Sequence, residues 1–207
     1  DLVASSTSVV LDEATSKHIV QVLRMQNGGQ LQLTNGKGNL FTAEITDDNR
    51  KKCAVTIKKK SNIKNQTSDI SIAISLIKNN TRFEWFLEKA TEIGVTGIIP
   101  LICERTEKTN FKMERMKSIL VSAMLQSQQC WLPVLQEPVK YANVPIGKWE
   151  NTEKYIAHCE DENNKQPFSN KLINQSTNKL ILIGPEGDFT KNEIELALQN
   201  NFIPVAL

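Results

Sequence analysis

No stretch of the chain approaches the roughly 18 consecutive apolar residues that a membrane-spanning helix needs, which excludes an integral helical membrane protein. Cysteine and histidine are scarce. Cys53, Cys103, Cys130 and Cys159 form no Cys-x-x-Cys pair, and the chain holds only 2 histidines, His18 and His158. That spacing fits neither a zinc site nor a small disulfide framework; it reads as reduced, partly buried thiols in a cytoplasmic protein, with no metal. The phosphate-cradling patterns G-x-x-x-x-G-K-[ST] and G-x-G-x-x-G are both missing, as are internal repeats and low-complexity tracts. The opening "DLVASSTSVV" has no basic leader and no apolar run, so a secretory leader is not expected. It also has no Met at position 1, so residues before Asp1 are expected to be absent.

What is present is ordinary globular composition: 207 residues, 40% hydrophobic and 23% charged, enough for one large domain or a small one followed by a medium one. The net charge of +2 is unevenly placed. Residues 1–68 hold ten Lys/Arg against six Asp/Glu, through the cluster Arg50, Lys51, Lys52, Lys58, Lys59, Lys60 and Lys64. Charge alone is equally compatible with a surface tracking a phosphate backbone and with a solvated strand end.

The first segment reads as strands. "TSVVL", "QLQLTN", "NLFTAEIT" and "KCAVTIKKK" are short and β-rich, separated by the turn signals "QNGGQ", "NGKGN" and "TDDNRK". Between the first two, "DEATSKHIVQVLRM" reads as a helix with Ile19, Val22 and Leu23 on one face. Four strands and a helix predict a small barrel-like β domain, ended by a polar linker at 61–69. Beyond it, strands alternate with helices: "ISIAISLI", "TRFEWFLEKATEIG", "VTGIIPLIC", "FKMERMKSILVSAMLQSQ", "KYIAHC", "KLILIG", "TKNEIELALQN" and "FIPVAL". That rhythm predicts an α/β domain on a mainly parallel sheet. Capping boxes are expected at Thr81 with Glu84 and at Thr190 with Glu193. Phe83, Phe86, Leu87, Ala90 and Ile93 form the apolar stripe of the first of these helices, and Gly94 ends it.

Ligands in open parallel sheets sit beyond the carboxyl ends of the strands. The turn Gly184-Pro185-Glu186-Gly187 follows the apolar strand "KLILI" at that position, with a helix starting just after it. Its two glycines are expected to allow a tight bend and close ligand approach. A loop carrying Glu186 and Asp188 but no lysine suits hydroxyls, an amine or an adenine edge better than a triphosphate. Taken alone, a turn of this kind is also an ordinary strand-to-helix connection.

"ILIGPEGDF" resembles the motif of the family that methylates N3 of a uridine in 16S ribosomal RNA, within the SPOUT superfamily of knotted methyltransferases. "HIVQVLRMQNGGQLQLTNGKGNLFTAEI", "WFLEKATEIGVTGIIPLICERT", "SAMLQS" and "VLQEPV" match further family segments in the same order. The resemblance implies a PUA-like RNA-binding β-barrel over residues 1–68. It implies an α/β-knot domain over 69–207 that binds S-adenosylmethionine, 16S ribosomal RNA or the assembled small subunit as substrate, and a homodimer. It places Ile183, Gly184, Pro185, Glu186 and Gly187 on one wall of the methyl-donor pocket, with His158 and Leu207 at neighbouring strand ends. It implies Arg105 and Glu186 as catalytic candidates, Arg105 against the uracil or a phosphate and Glu186 as base, and Arg24, Lys37 and Arg105 as RNA contacts. Position alone leaves other readings open: a satisfied strand-end histidine at His158, an ion pair of Arg105 with Glu104 or Glu107, and a solvated helix face at Lys89 and Glu92. One departure from the family lies at "QSQQCW", where Gln128, Gln129 and Trp131 stand in place of arginines. The expected continuation past "FIPVAL", a Leu-Gly-x-x-(Ile/Val)-Leu-Arg motif and a final helix, is not in the sequence, so a truncated chain is expected. The competing function is a non-catalytic RNA-binding or ribosome-assembly module of the same fold; a generic α/β nucleotide-binding protein is a third.

Overall fold

The computed structural model describes residues 7–64, 69–144, 149, 151–160, 166–167 and 177–206; residues 65–68 of the expected linker and Leu207 lie outside them. The chain divides into two compact units, Asp1–Asn65 and Gln66–Leu207.

The first unit is a four-stranded antiparallel sheet in the order β1-β4-β3-β2, built from β1 (Ser8–Val10), β2 (Gln30–Thr34), β3 (Asn39–Asp47) and β4 (Ala54–Asn62). Alternation along β3 turns Phe41, Ala43 and Ile45 inward, as a half-buried strand requires. Helix α1 (Glu13–Lys17) is N-capped by Asp12, whose Oδ1 accepts the Thr15 N–H at 2.9 Å. Buried Ser16 fastens the helix to the sheet: its Oγ accepts the Cys53 N–H at 2.9 Å and donates to the Leu11 carbonyl. The expected single helical face is not what forms. After α1 the chain enters a π-helical turn, His18–Val22, with Leu23 N–H donating to the His18 carbonyl. The wider turn rotates later residues away from the sheet, so Ile19 is buried while Val22 (66%) and Leu23 (55%) are exposed. Strand β4 continues through Ser61 and Asn62, so the expected linker starts later than its polarity suggests.

The second unit is a parallel sheet in the order β10-β12-β9-β11-β5-β6-β7, with β8 also pairing β6. Its strands are β5 (Ile70–Ser75), β6 (Gly97–Ile102), β7 (Val134–Leu135), β8 (Val139–Lys140), β9 (Thr152–Ala157), β10 (Gln166–Pro167), β11 (Asn178–Ile183) and β12 (Ile203–Ala206). Central strand β11 is buried on both faces from Lys179 to Leu182. This is why it reads as an unbroken apolar run rather than an alternation. Helices α2 (Asn80–Glu92) and α3 (Met113–Gln126) cover one face and α4 (Lys191–Gln199) the other.

The capping box of α4 forms as expected, with Thr190 and Glu193 satisfying each other's backbone N–H groups. That of α2 does not. Asn79 is the N-cap, accepting the Thr81 N–H at 3.0 Å, and Glu84 lies a turn further on, where Arg115 of α3 grips it through Nη2 at 2.8 Å. Phe83, Leu87 and Ala90 of the α2 stripe are buried, but Ile93, at the C-cap, is 79% exposed. Gly94 ends the helix at φ +90°. The mixed α/β architecture, with a small antiparallel sheet followed by a parallel one, agrees with the expected fold.

Candidate active site

The parallel register sets Ile183 of β11 beside Ala157 of β9 and Ile74 of β5. The turn after β11 is therefore flanked by the chain leaving β9 on one side and β5 on the other. The turn closes through the Asp188 N–H to the Pro185 carbonyl at 2.9 Å, leaving Glu186 and Gly187 exposed at its corners.

The two glycines serve space rather than backbone freedom. Neither is at positive φ; the left-handed residue of the loop is Asp188, at φ +63°. At Gly184 a Cβ would stand 3.1 Å from the Phe189 ring and 3.2 Å from the Phe189 backbone nitrogen, so a side chain there would have to push Phe189 back by a few tenths of an ångström. At Gly187 a Cβ would meet only the Arg105 side chain, at an ordinary 3.5 Å from Cδ and 3.8 Å from Cβ. The protein itself does not require a glycine at that corner, whereas a ligand approaching the backbone would.

Three strand ends brace the turn. From β5, the Lys78 N–H donates to Glu186 Oε1 at 3.1 Å. From β9, the Cys159 N–H donates to Asp188 Oδ2 at 2.7 Å. From β6, Arg105 Nη1 donates to the carbonyls of Gly187 at 2.6 Å and Phe189 at 3.4 Å. Arg105 is aimed by its own turn. Thr106 N–H bonds the Cys103 carbonyl, Thr106 Oγ1 accepts the Cys103 N–H at 2.8 Å, and that hydroxyl meets buried Ser75 Oγ at 2.9 Å. Beneath the loop Phe189 is buried against Tyr141, with ring centroids 5.4 Å apart.

The structure thus brings together Ile183, Gly184, Pro185, Glu186, Gly187, Arg105 and, at the buried end of β9, His158. Leu207 falls outside the described residues. Arg105 makes neither of the ion pairs that were its alternative reading: Glu107 pairs with Lys78 at 2.9 Å, and Glu104 offers its N–H to Glu193 Oε1 at 2.9 Å. Lys89 is held by Glu88 and Glu92, each at 2.9 Å, on the surface of α2. Gln129 Nε2 is spent on the Glu92 carbonyl at 2.6 Å. In the first unit Arg24 is exposed at φ +55°, and Lys37 is exposed between Gly36 and Gly38, both at positive φ. Arg50, Lys51 and Lys52 are exposed between β3 and β4, while Lys58 pairs with Glu44 at 3.2 Å. Sequence reasoning placed Asp188 in the loop without its bracing role, and missed Phe189, Thr106 and the Lys78 and Cys159 amides. The one signal was an Asp directly after Gly187, a residue type that tolerates the left-handed region.

Buried Glu193 sets the electrostatics under the site. Burial, with its charge nearby, pushes the Cys103 thiol from 9.0 up to about 12 and raises Tyr141 as well. Both groups are therefore neutral in the folded protein at pH values where the unfolded chain ionises. For Cys103 the stabilisation is complete below pH 9.0 and is lost as pH rises toward about 12. Denaturant midpoints are expected to fall across that window, and to fall less steeply in Cys103→Ala.

Comparison with known families decides what such a loop belongs to. A model described as RNA methyltransferase domain matches residues 64–207, and one described as RNA methyltransferase PUA domain matches residues 11–58. The chain belongs to the RNA methyltransferase family. Among curated members of this methyltransferase family, it is 30% identical to ribosomal RNA small subunit methyltransferase E of Synechocystis, over 97% of this chain and 66% of that relative. It is 28% identical to the protein of the same name from Rickettsia conorii, over 93% and 78% respectively. Two crystal structures share the methyltransferase fold. The probable rRNA-methyltransferase of Porphyromonas gingivalis superposes with a TM-score of 0.86 at 35% identity, covering 96% of this chain and 84% of that one. Ribosomal RNA small subunit methyltransferase E of Neisseria gonorrhoeae, bound to S-adenosyl methionine, superposes with a TM-score of 0.84 at 25% identity, covering 100% and 86%. Among the described residues, no helix is long and apolar enough to cross a membrane.

The loop's own chemistry fits that methyl donor. Its formal charges are the carboxylates of Glu186 and Asp188, its arginine is turned onto carbonyl oxygens, and its corner is bare. A sulfonium cation with an adenine is compatible with these groups.

Proposed function

We propose that the protein transfers a methyl group from S-adenosylmethionine to N3 of a uridine in 16S ribosomal RNA of the small subunit. The observation that carries this reading is the exposed turn at Gly187, bare without need and braced from three strand ends, in a chain of the RNA methyltransferase family. Ile183 to Gly187, with His158 on the adjoining strand end, would hold the donor, which supplies an electrophilic methyl group. The relatives named for the small-subunit enzyme support the substrate class. Arg24 and Lys37, exposed in the unit matched by the PUA model, are proposed backbone contacts for RNA. A homodimer is the proposed assembly.

Uracil N3 is a weak nucleophile until its proton leaves, here to solvent water. The methyl group would then pass from sulfur to N3 with S-adenosylhomocysteine as the leaving group, and the enzyme's contribution is mostly positioning. We assign that positioning to Arg105 and Glu186, since each already holds the turn through its own polar atoms. Glu186→Gln keeps an oxygen for the Lys78 N–H and is expected to retain methylation within about threefold. A general base would lose on the order of 10²–10⁴, and a loss of that size would restore Glu186 as the base. The reading as a whole is tested by incubating the protein with unmodified small subunits and labelled S-adenosylmethionine, then digesting the RNA to nucleosides. Label in 3-methyluridine is expected. Label in another nucleoside overturns the position, and no label with retained RNA binding favours the non-catalytic module.

A further inference from the structure

Asp188 occupies a left-handed position and uses its side chain there. Its backbone sits at φ +63°, a conformation glycine adopts without steric cost and other residues rarely adopt. Its side chain does what glycine has no means to do. Oδ1 accepts the Phe189 N–H at 2.8 Å, and Oδ2 reaches across to the Cys159 N–H at 2.7 Å. Cys159 directly follows buried His158 at the carboxyl end of β9, the strand beside β11.

We infer that Asp188 is a positioning residue for the methyl donor: its carboxylate draws the His158–Cys159 strand end against the Gly184–Gly187 turn and fixes the spacing of the chain ends beyond β9 and β11. The assignment rests on the proposed function. It gives the loop's two carboxylates matching roles on opposite flanks of β11, Glu186 toward β5 and Asp188 toward β9. Only the β9 side carries the histidine. Cys159 is also an exposed thiol, whereas Cys53, Cys103 and Cys130 are buried, so it reports on that strand end without disturbing it.

The test is calorimetric titration of S-adenosylmethionine, without RNA, into wild type, Asp188→Gly and Asp188→Asn. Asp188→Gly is expected to bind about tenfold more weakly, as loss of a charge-assisted tie would give. Its denaturation midpoint should match or exceed wild type, because glycine relieves the left-handed backbone. Asp188→Asn keeps one acceptor oxygen for two N–H donors and should bind with intermediate affinity. In turnover, KM for the donor rises while kcat changes little. Without donor, amide exchange at Cys159 and alkylation of its thiol both accelerate in Asp188→Gly. Unchanged affinity in both variants overturns the inference, as does an affinity loss that merely tracks lost stability. Should Asp188→Gly fail to fold, Asp188→Asn decides by the same criteria. If wild type itself binds no donor, the proposed function fails instead, and exchange at Cys159 still shows whether Asp188 holds the strand end.

Discussion

Phe189→Ala is expected to lower the free energy of unfolding by about 3–5 kcal/mol, the range for deleting a fully buried aromatic ring. Phe189 is 1% exposed and packs with Tyr141, Leu182, Ile194 and Phe202 in the core under α4. The same ring occupies the space that a side chain at Gly184 would need. Its removal both opens a cavity and frees the turn from below, so donor affinity should fall by more than the stability loss implies. Denaturant titration measures the first effect, and calorimetry at temperatures where the variant remains folded measures the second. A destabilisation under about 1 kcal/mol would mean that the core collapses around the gap and that the turn does not depend on the ring.

Arg105→Ala is the second large effect. The guanidinium makes two contacts with loop carbonyls, the shorter at 2.6 Å. Hydrogen bonds from charged groups contribute about 1.5–3 kcal/mol, and exposure of Arg105 to solvent places it toward the lower end. Donor affinity measured without RNA should fall roughly tenfold. The value of kcat/KM should fall roughly a hundredfold, because small misplacements of a reacting group are disproportionately costly. Arg105→Lys keeps the charge but not the planar fork and should recover little. The alternative, direct contact with the nucleic acid, predicts the opposite pattern: unchanged donor affinity and a salt dependence of RNA binding reduced by about one.

The elements of both units were legible because their periods differ. The apolar run of β11 and the three-to-four spacing of Phe83, Leu87 and Ala90 each follow from the face that the core demands. The start of α2 was not legible, since Asn79 and Thr81 are both good caps two residues apart and only the packing of Glu84 against Arg115 chooses between them. The π-turn at His18–Val22 leaves no pattern in residue types, yet it reverses the exposure of Val22 and Leu23. At the site, the Gly-Pro-Glu-Gly turn and His158 could be placed at one edge of a sheet from strand order alone. The roles of Arg105, Glu186 and Asp188 could not, because each depends on a partner brought near only by the sheet.

Those partners carry a consequence for how the protein matures. The braces join residues 108, 82 and 29 positions apart in the chain. Contacts of such long range form late, after the entropy of closing their loops has been met. During synthesis, residues 70–75, paired on one edge with 97–102, wait for 178–183 to add on their other edge before the turn has anything to lean on. On the proposed function, donor binding is thus expected of the finished sheet and not of a fragment of it. A half-made chain would then lack a grip on the cofactor, and cofactor retention would serve as a readout of completed folding.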